Sequence, residues 1–191
     1  MSASRHEPSP DVVIRLAEPR DAEGIQAVYN HFVTESTALF DLVPRTLEEQ
    51  LAWIDEHSGG HPALVAVDAA AVGDGVPGGV VGFGSLSPFR SRPAYAGTVE
   101  DSVYLLDSHQ GQGIGRRLLD ELLRLAQAHG FHTVIARIVG QNEPSIALHR
   151  AVGFDLVGVE REIGRKFRKW LDVVAMQKLL TEEAEPTPTD D

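Results

Sequence analysis

Three glycines at alternate positions stand directly before a leucine-rich run in the stretch HQGQGIGRRLLDELL, residues 109–123. Glycine weakens a helix by about 1 kcal/mol relative to alanine, so glycines at this place need another reason. A backbone without Cβ atoms can approach an anion closely, and the free amides at a helix N-terminus favour negative charge. Arg116 and Arg117 would add positive charge at the mouth. The stretch predicts a site for a phosphate-bearing ligand, most simply a pyrophosphate.

Two common phosphate-binding patterns do not fit this loop. A nucleoside triphosphate loop would end in Gly-Lys-Ser/Thr, which is missing here. A dinucleotide fingerprint would read GxGxxG after the first strand of a Rossmann unit, whereas this spacing is Gly111-x-Gly113-x-Gly115 and falls past the middle of the chain. Taken alone, the loop fits a flexible turn as well as an anion site.

The rest of the pattern predicts a single α/β domain. Residues 1–10 and 182–191 are rich in Pro, Ser, Thr and charge and are expected to be disordered tails around a domain at 11–181. Between the tails, strand and helix patterns alternate, which predicts a mixed central sheet of about seven strands flanked by about four helices. Asp21 and Asn142 are expected to cap helices, and Thr46 with Glu49 to form a capping box.

Composition excludes several classes of protein. The chain has no cysteine, which excludes disulfides, thiolate metal sites and cysteine nucleophiles. The net charge of −11 argues against nucleic-acid binding, although it leaves room for a local basic pocket. No apolar run approaches a membrane span of ~20 residues and no secretory signal is visible, so a soluble cytoplasmic protein is expected. The histidines show no metal-ligand spacing, and no metal is expected.

Longer motifs place the loop in a family. QGQGIGRRLL resembles the pyrophosphate loop of the GNAT superfamily of acyl-CoA N-acyltransferases, and NEPSIALHRAVGF, residues 142–154, resembles its second signature. RPAYAGTVEDSVYLL, LHRAVGF and GRKFRKWLDVVAMQ resemble the phosphinothricin acetyltransferase branch, which includes methionine sulfoximine acetyltransferases. The resemblance covers residues 12–180. It implies the mostly antiparallel sheet of the acyl-CoA N-acyltransferase fold.

The resemblance implies acetyl-CoA as the acyl donor. Its pantetheine arm would pair with the strand through Val103, Tyr104 and Leu105, and Asn142 would hydrogen-bond the arm, cap its helix, or do both. A backbone N–H of the Tyr104–Leu105 stretch would bind the developing oxyanion. The pyrophosphate would lie on the amides of the loop, namely Gly111, Gln112, Gly113, Ile114, Gly115 and Arg116.

Two residues are candidates for acid–base chemistry. An amine with a pKa near that of lysine is mostly protonated at neutral pH, so a carboxylate is a natural general base. Glu100 matches the acidic residue of this branch, although it could equally be a solvent-facing strand residue. Strand alternation puts Glu100 and Tyr104 on one face and Val99 and Val103 on the other. His149 would protonate the thiolate, assist deprotonation of the amine, or line the pocket, or it could be a histidine on a half-buried helix whose ring is satisfied by its neighbours.

The resemblance also implies an acceptor site and a function. Arg92 and Tyr95, with Thr98 and Val99 beside them, are candidate contacts of a carboxylate-bearing acceptor, and Phe40 lines the pocket or belongs to the core. The expected function is acetylation of the primary amine of a small compound such as phosphinothricin or methionine sulfoximine. Alternatives are a protein or peptide N-acetyltransferase and a non-catalytic acyl-CoA-binding module.

Association with a second copy is also expected. Homodimers are common in the branch that the chain resembles. Lys166 and Trp170 lie in a late hairpin that could cross to a second subunit. The expected partners are therefore a small amine acceptor and a second copy of the chain, with no nucleic acid and no membrane.

Overall fold

The computed structural model describes residues 12–140 and 142–180, so both proposed tails lie outside the described residues. These residues form one seven-stranded sheet in the order β1-β2-β3-β4-β5-β7-β6. Its strands are β1 (Val12–Leu16), β2 (Ala63–Asp68), β3 (Val80–Pro88), β4 (Thr98–Leu105), β5 (Thr133–Val139), β6 (Asp155–Lys166) and β7 (Lys169–Leu179). The α-helices are α1 (Ala22–Glu35), α2 (Leu47–Glu56), α3 (Ile114–Ala128) and α4 (Glu143–Ala151).

The sheet is antiparallel except at its middle, where β4 and β5 run parallel. A parallel pair needs a crossover connection, and the glycine loop with α3 supplies it. The mixed, mostly antiparallel sheet with four helices confirms the predicted fold. None of the helices in the described ranges is long and apolar enough to span a bilayer.

Helices cover both faces of the sheet. On one face α3 buries the leucines of its apolar stripe, among them Leu118 and Leu122, against Val99 and Val134. On the other face α1 and α2 pack against the ring of Phe83. Alternate residues of each strand therefore enter different cores. This places Glu100 and Tyr104 on the α1–α2 face and Val99, Asp101 and Val103 on the α3–α4 face.

Two of the three predicted helix N-caps are present in the structure. The capping box of Thr46 and Glu49 is present, and Asn142 caps α4 by accepting from the Ser145 amide at 3.2 Å. Asp21 stands at the N-cap of α1 without capping it through its side chain. Its carboxylate instead pairs with Arg15 at 2.6 Å and accepts from the Glu18 amide at 2.8 Å.

Strand β6 is longer than its apolar pattern suggests. The apolar stretch FDLVGVE, which predicts a strand, ends at residue 160, but β6 continues to Lys166 after a break in register between Glu160 and Gly164. Glu162 has a φ of 49° within this break, which is uncommon for a residue other than glycine. The extension brings the end of β6 to the α1–α2 side of the site.

Candidate active site

The central feature of the site is an opening in the sheet between β4 and β5. Their ladder runs from the Thr98–Thr133 pair to the Asp101–Ala136 pair and then ends. Beyond that point β4 stays paired with β3 up to Leu105, and β5 stays paired with β7 up to Val139. A cavity of about 560 Å³ lies there, which we call the donor cleft. An extended ligand can therefore lie between the two strands and add to the exposed edge of β4.

The glycine loop closes one end of the donor cleft. Gly111 and Gly113 have φ values of 74° and 78°, a conformation that side chains rarely adopt, and Gly113 is the N-cap of α3. The first bond from α3 back to the loop joins the Arg117 amide to the Gly113 carbonyl at 3.1 Å. Within the described ranges the earlier amides of α3, on Ile114, Gly115 and Arg116, point to no protein acceptor. These amides can hold a pyrophosphate.

Side chains around the loop hold its backbone in place. Gln110 donates to the Leu105 carbonyl at 3.2 Å, and Gln112 donates to the Ser108 carbonyl at 3.1 Å. Arg116 lines the cleft, but Arg117 turns away and donates to the Val12 carbonyl at 2.9 Å. The expectation that both arginines add charge at the mouth is therefore wrong for Arg117, because β1 takes its guanidinium.

Strand β4 presents different side chains to the two faces. Val103 and Leu105 pack against the core beneath α3, whereas the Tyr104 ring lies 5.1 Å from that of Phe83 and 5.3 Å from that of Phe32, centroid to centroid. Burial raises the pKa of Tyr104 to about 12, so its phenol stays neutral at physiological pH. Val103, Tyr104 and Leu105, the residues expected to pair with the cofactor arm, all border the cleft.

Glu100 lies on the α1–α2 face, away from the core beneath α3. Its side chain is half-buried, and burial raises its pKa above the usual value, while the nearby Arg137 guanidinium acts in the opposite direction. Arg137 borders the donor cleft and forms a short ion pair with Glu160 on β6. A carboxylate whose pKa is moved toward neutrality suits a general base.

His149 is buried on the opposite face of the sheet and lines the donor cleft. Its Nε2 lies 3.0 Å from Oδ2 of Asp101, and its Nδ1 lies 2.7 Å from the Ser145 carbonyl oxygen. Burial lowers the pKa of His149, but the hydrogen bond and charge of Asp101, with the Ser145 carbonyl, outweigh it and raise the pKa. Within the described residues, the other oxygen of Asp101, Oδ1, has no hydrogen-bond partner.

A second, basic pocket of about 450 Å³ lies in the β3–β4 loop. Arg92 and Tyr95, both expected to contact the acceptor, line it together with Arg90 and Ser91. The Arg90 guanidinium lies 5.8 Å from the centre of the Tyr95 ring, and its charge acts on Glu100. The pocket can hold an anionic group such as a carboxylate within electrostatic range of the candidate base.

Among the remaining candidate acceptor residues, Thr98 borders the site, Val99 belongs to the core, and Phe40 is partly in each. Thr98 is half-buried beside Glu100, but Val99 is fully buried beneath α3, so its side chain cannot contact an acceptor, contrary to expectation. The Phe40 ring packs over the backbone of Gly164, where an added Cβ would lie 2.3 Å from it. Phe40 is still one-third exposed, so its ring belongs to the core only in part.

The Lys166 side chain, in the late hairpin, forms its hydrogen bonds within its own chain and does not reach out to another subunit. Its ammonium donates to the carbonyls of Phe32 and Leu39 at 3.1 and 3.0 Å within the same chain, and burial lowers its pKa. Trp170 on β7 is exposed, with Arg165 over its ring at 5.7 Å. Lys166 therefore ties the α1–α2 loop to β6, because its buried charge needs those carbonyl dipoles.

Three residues of the site were missed by sequence reasoning: Asp101, Arg90 and Arg137. Asp101 could have been found, because strand alternation places an acid on the face that otherwise carries Val99 and Val103. Arg90 stands two residues before Arg92, just outside the motif already singled out. Arg137 carries no comparable signal, since its place beside Glu100 depends on the pairing of β4 with β5. No group of three or more metal-ligating side chains occurs in the described part of the chain.

Comparison with known proteins gives consistent results. A family model described as the acetyltransferase (GNAT) family matches residues 25–154. The L-methionine sulfoximine/L-methionine sulfone acetyltransferase of Pseudomonas aeruginosa is 41% identical over 86% of this chain and 92% of its own. The phosphinothricin N-acetyltransferase of Streptomyces coelicolor is 36% identical over 89% of this chain and 97% of its own.

A solved structure resembles the whole described fold. The crystal structure of a GNAT superfamily phosphinothricin acetyltransferase from Sinorhizobium meliloti, in complex with acetyl-CoA, has a TM-score of 0.83 and 36% sequence identity. The similarity covers 94% of this chain and 95% of that one.

Proposed function

Because this chain belongs to the acetyltransferase (GNAT) family, and is an acetyl-CoA-dependent N-acetyltransferase of the phosphinothricin and methionine sulfoximine branch, we propose that its acceptor is the primary amine of a small amino-acid-like compound. Phosphinothricin, methionine sulfoximine and methionine sulfone are the leading candidates, since relatives carry those names. The observation that carries the proposal is the basic pocket lined by Arg90 and Arg92, of which the Arg90 guanidinium acts electrostatically on Glu100.

The chain fits acetyl-CoA in two ways. The left-handed turn at Gly111 and Gly113 leaves the first amides of α3 without an acceptor in the described part of the chain, and they can bind a pyrophosphate. The opening after Asp101 leaves an edge of β4 for an extended arm. When bound, acetyl-CoA supplies an activated acetyl group as a thioester. The residues Val103–Leu105 would hold the arm, with Asn142 at its side. The Leu105 N–H would stabilise negative charge on the carbonyl oxygen, because the bond from the Leu106 amide to the Val81 carbonyl puts the amides of Leu106 and Tyr104 on the β3 side.

Glu100 would prepare the acceptor. Its carboxylate would take a proton from the ammonium, directly or through one water, and so expose the nitrogen lone pair for attack. Arg92 and Arg90 would bind the acceptor's carboxylate in a fork-like geometry, which orients the amine toward the donor cleft. Tyr95, Phe40 and Thr98 would border the remainder of the acceptor.

A panel of acceptors tests this proposal. Thiol release from acetyl-CoA is measured with L-phosphinothricin, L-methionine sulfoximine and L-methionine sulfone, with their methyl esters, and with short peptides that have a free N-terminus. We expect kcat/KM for the free acids to exceed that for peptides by about 100-fold, equivalent to about 2.8 kcal/mol. Faster turnover of peptides would show a protein or peptide acetyltransferase. Thiol release by none of the amines would favour a binding module.

We also propose a homodimer, formed through the β6–β7 face. Strand β6 is an edge strand, and it exposes Leu156, Val157, Val159 and Ile163, beside the exposed Trp170 of β7. Apolar side chains on an exposed edge favour association. Light scattering coupled to size exclusion measures the mass directly. A monomer at micromolar concentration would contradict the proposal, and Val157→Lys should weaken a dimer.

A further inference from the structure

Asp101 and His149 are in contact at the point where the pairing of β4 with β5 ends. Asp101 belongs to the last residue pair that joins β4 to β5, and His149 lies in α4, which borders the donor cleft. Their side chains are only 1% and 4% exposed. The contact therefore joins α4 to β4 at the point where the sheet opens.

Both ring nitrogens of His149 face oxygen atoms that can accept a hydrogen bond. Nδ1 meets the Ser145 carbonyl at 2.7 Å, and Nε2 meets Oδ2 of Asp101 at 3.0 Å. A neutral imidazole carries one N–H and can satisfy one of these acceptors. Both contacts can be hydrogen bonds at once only with a second proton, shared between Nε2 and Oδ2. Without it, either the buried carboxylate or the Ser145 carbonyl faces a nitrogen lone pair, which is costly.

We propose that Asp101 is a positioning residue, whose shared proton with His149 clamps α4 to β4 and keeps the donor cleft in the shape that binds acetyl-CoA. Asn142, the N-cap of helix α4, also lines the cleft, so movement of the helix displaces that side chain as well. His149 then exchanges no proton with the amine or the departing thiolate, because both of its nitrogens are engaged within the protein. The proposal concerns the donor side and is independent of the acceptor's identity.

Most other charged groups near the clamp point elsewhere, but Lys178 on β7 donates to the Val152 carbonyl at the end of α4 at 2.7 Å. On β4, Glu100 projects to the opposite face, and so does Arg137 on β5. At the start of α3, Arg116 forms an exposed pair with Asp120 at 3.3 Å. Against the His149 ring itself lie the neutral Ser145 of α4 and the edge-on ring of Phe154 just before β6.

The clamp should open as pH rises. A histidine of ordinary environment titrates near pH 6.5, and the pKa of His149 is raised in the folded protein because Asp101 and Ser145 outweigh its burial. The clamp is therefore complete below about pH 6.5 and is lost as pH rises through the higher, folded pKa.

Calorimetric titration with acetyl-CoA alone tests the clamp. The dissociation constant is measured from about pH 6 to about pH 9 for wild type, Asp101→Asn and the control Asp21→Asn. Asp21 forms a similarly buried carboxylate pair with Arg15 on β1, remote from the cleft. Because acetyl-CoA's own phosphate titrates near pH 6, each variant is compared with wild type at the same pH.

We expect Asp101→Asn to bind acetyl-CoA about three- to tenfold more weakly than wild type at low pH. The ratio should approach one at high pH, where wild type has lost its own clamp. The ratio for Asp21→Asn should stay near one throughout. A ratio for Asp101→Asn that does not change with pH would overturn the proposal.

Two further readouts keep the test decisive. With an acceptor that the protein acetylates, Asp101→Asn should raise the KM for acetyl-CoA more than it lowers kcat. A fall in kcat at unchanged donor KM would make His149 a proton donor and refute the clamp. If Asp101→Asn does not fold, the His149 ring is titrated by NMR in wild type. Donor affinity that stays constant across that titration, once the phosphate's own titration is subtracted, would equally contradict the proposal.

Discussion

Glu100 and Asp101 are consecutive carboxylates on β4, and they face opposite sides of the sheet. Glu100 shares its face with Tyr104 and Arg137, whereas Asp101 accepts from His149 at 3.0 Å beneath α4. The pleat of a strand sends neighbouring side chains in opposite directions, so two acids one peptide bond apart meet different environments. One strand can thereby supply a base on the acceptor side and a clamp on the donor side.

Replacement of Glu100 by glutamine should abolish most of the activity without affecting donor binding. We expect kcat/KM to fall by about 10²- to 10⁴-fold, the usual range for loss of a general base. Because burial raises the pKa of Glu100, the wild-type rate should rise with pH through a pKa above that of an ordinary glutamate, and the variant should lack this limb. Glu121→Gln, at an exposed pair on α3, is the control. An unchanged pH profile in Glu100→Gln would exclude the base assignment.

Replacement of Arg92 by alanine should remove recognition of the acceptor's carboxylate. We expect the KM for a free-acid acceptor to rise about tenfold or more, since a forked charged hydrogen bond contributes about 1.5–3 kcal/mol. The KM for the corresponding methyl ester should change little, so the variant loses discrimination between acid and ester. Arg20→Ala, which removes an exposed ion pair with Glu18, serves as the control. Equal losses for acid and ester would argue for a structural role of Arg92.

Replacement of Gly113 by alanine should strain the loop that binds the pyrophosphate. An added Cβ meets no atom within 4 Å, so the cost arises from the φ of 78° alone, about 1–2 kcal/mol. We expect weaker acetyl-CoA binding, measured by calorimetry, together with a lower free energy of unfolding in urea. Gly59→Ala is the matched control, because its surroundings are equally open and its φ is not positive. A lower free energy of unfolding with unchanged acetyl-CoA affinity would show that the loop does not bind the ligand.

Replacement of Gly164 by alanine should displace the Phe40 ring. The new Cβ would lie 2.3 Å from the ring, a distance that forces the ring to move at a cost of about 1–3 kcal/mol. Since Phe40 is a proposed acceptor contact, the KM for the acceptor should rise while the KM for acetyl-CoA stays constant. Gly158→Ala on the same strand adds a methyl group into open space and should leave both values unchanged. An unchanged acceptor KM in Gly164→Ala would place Phe40 outside the acceptor site.

Local patterns predicted much of this fold. The bounds of β2 agree with its apolar run, the Thr46 capping box is present, and the alternation along β4 assigns each side chain to its observed face. These features depend on residues close together in the chain. The resemblance to a family then supplied the donor, which no spacing of glycines could identify by itself.

Two of the failures, those of Arg117 and Lys166, have a different cause, namely partners distant in sequence. The Arg117 guanidinium donates to the Val12 carbonyl of β1, 105 residues away in the chain. The Lys166 ammonium donates to the carbonyls of Phe32 and Leu39, 134 and 127 residues away. Val99 was assigned to the acceptor because it lies in a functional motif, but the pleat turns it into the core. The orientation of a long side chain is decided by the elements that pack around it, and those are known only once the sheet is assembled.

The short ladder between β4 and β5 has a mechanical consequence. Only four residue pairs join the half of the sheet that contains β1–β4 to the half that contains β5–β7 in the described structure. Backbone pairing therefore joins the two halves along a narrow seam, and the core beneath α3, which contains Val99 of one half and Val134 of the other, packs across it. A thioester arm laid along β4 would act as the missing length of strand, so the donor completes the very scaffold that positions it.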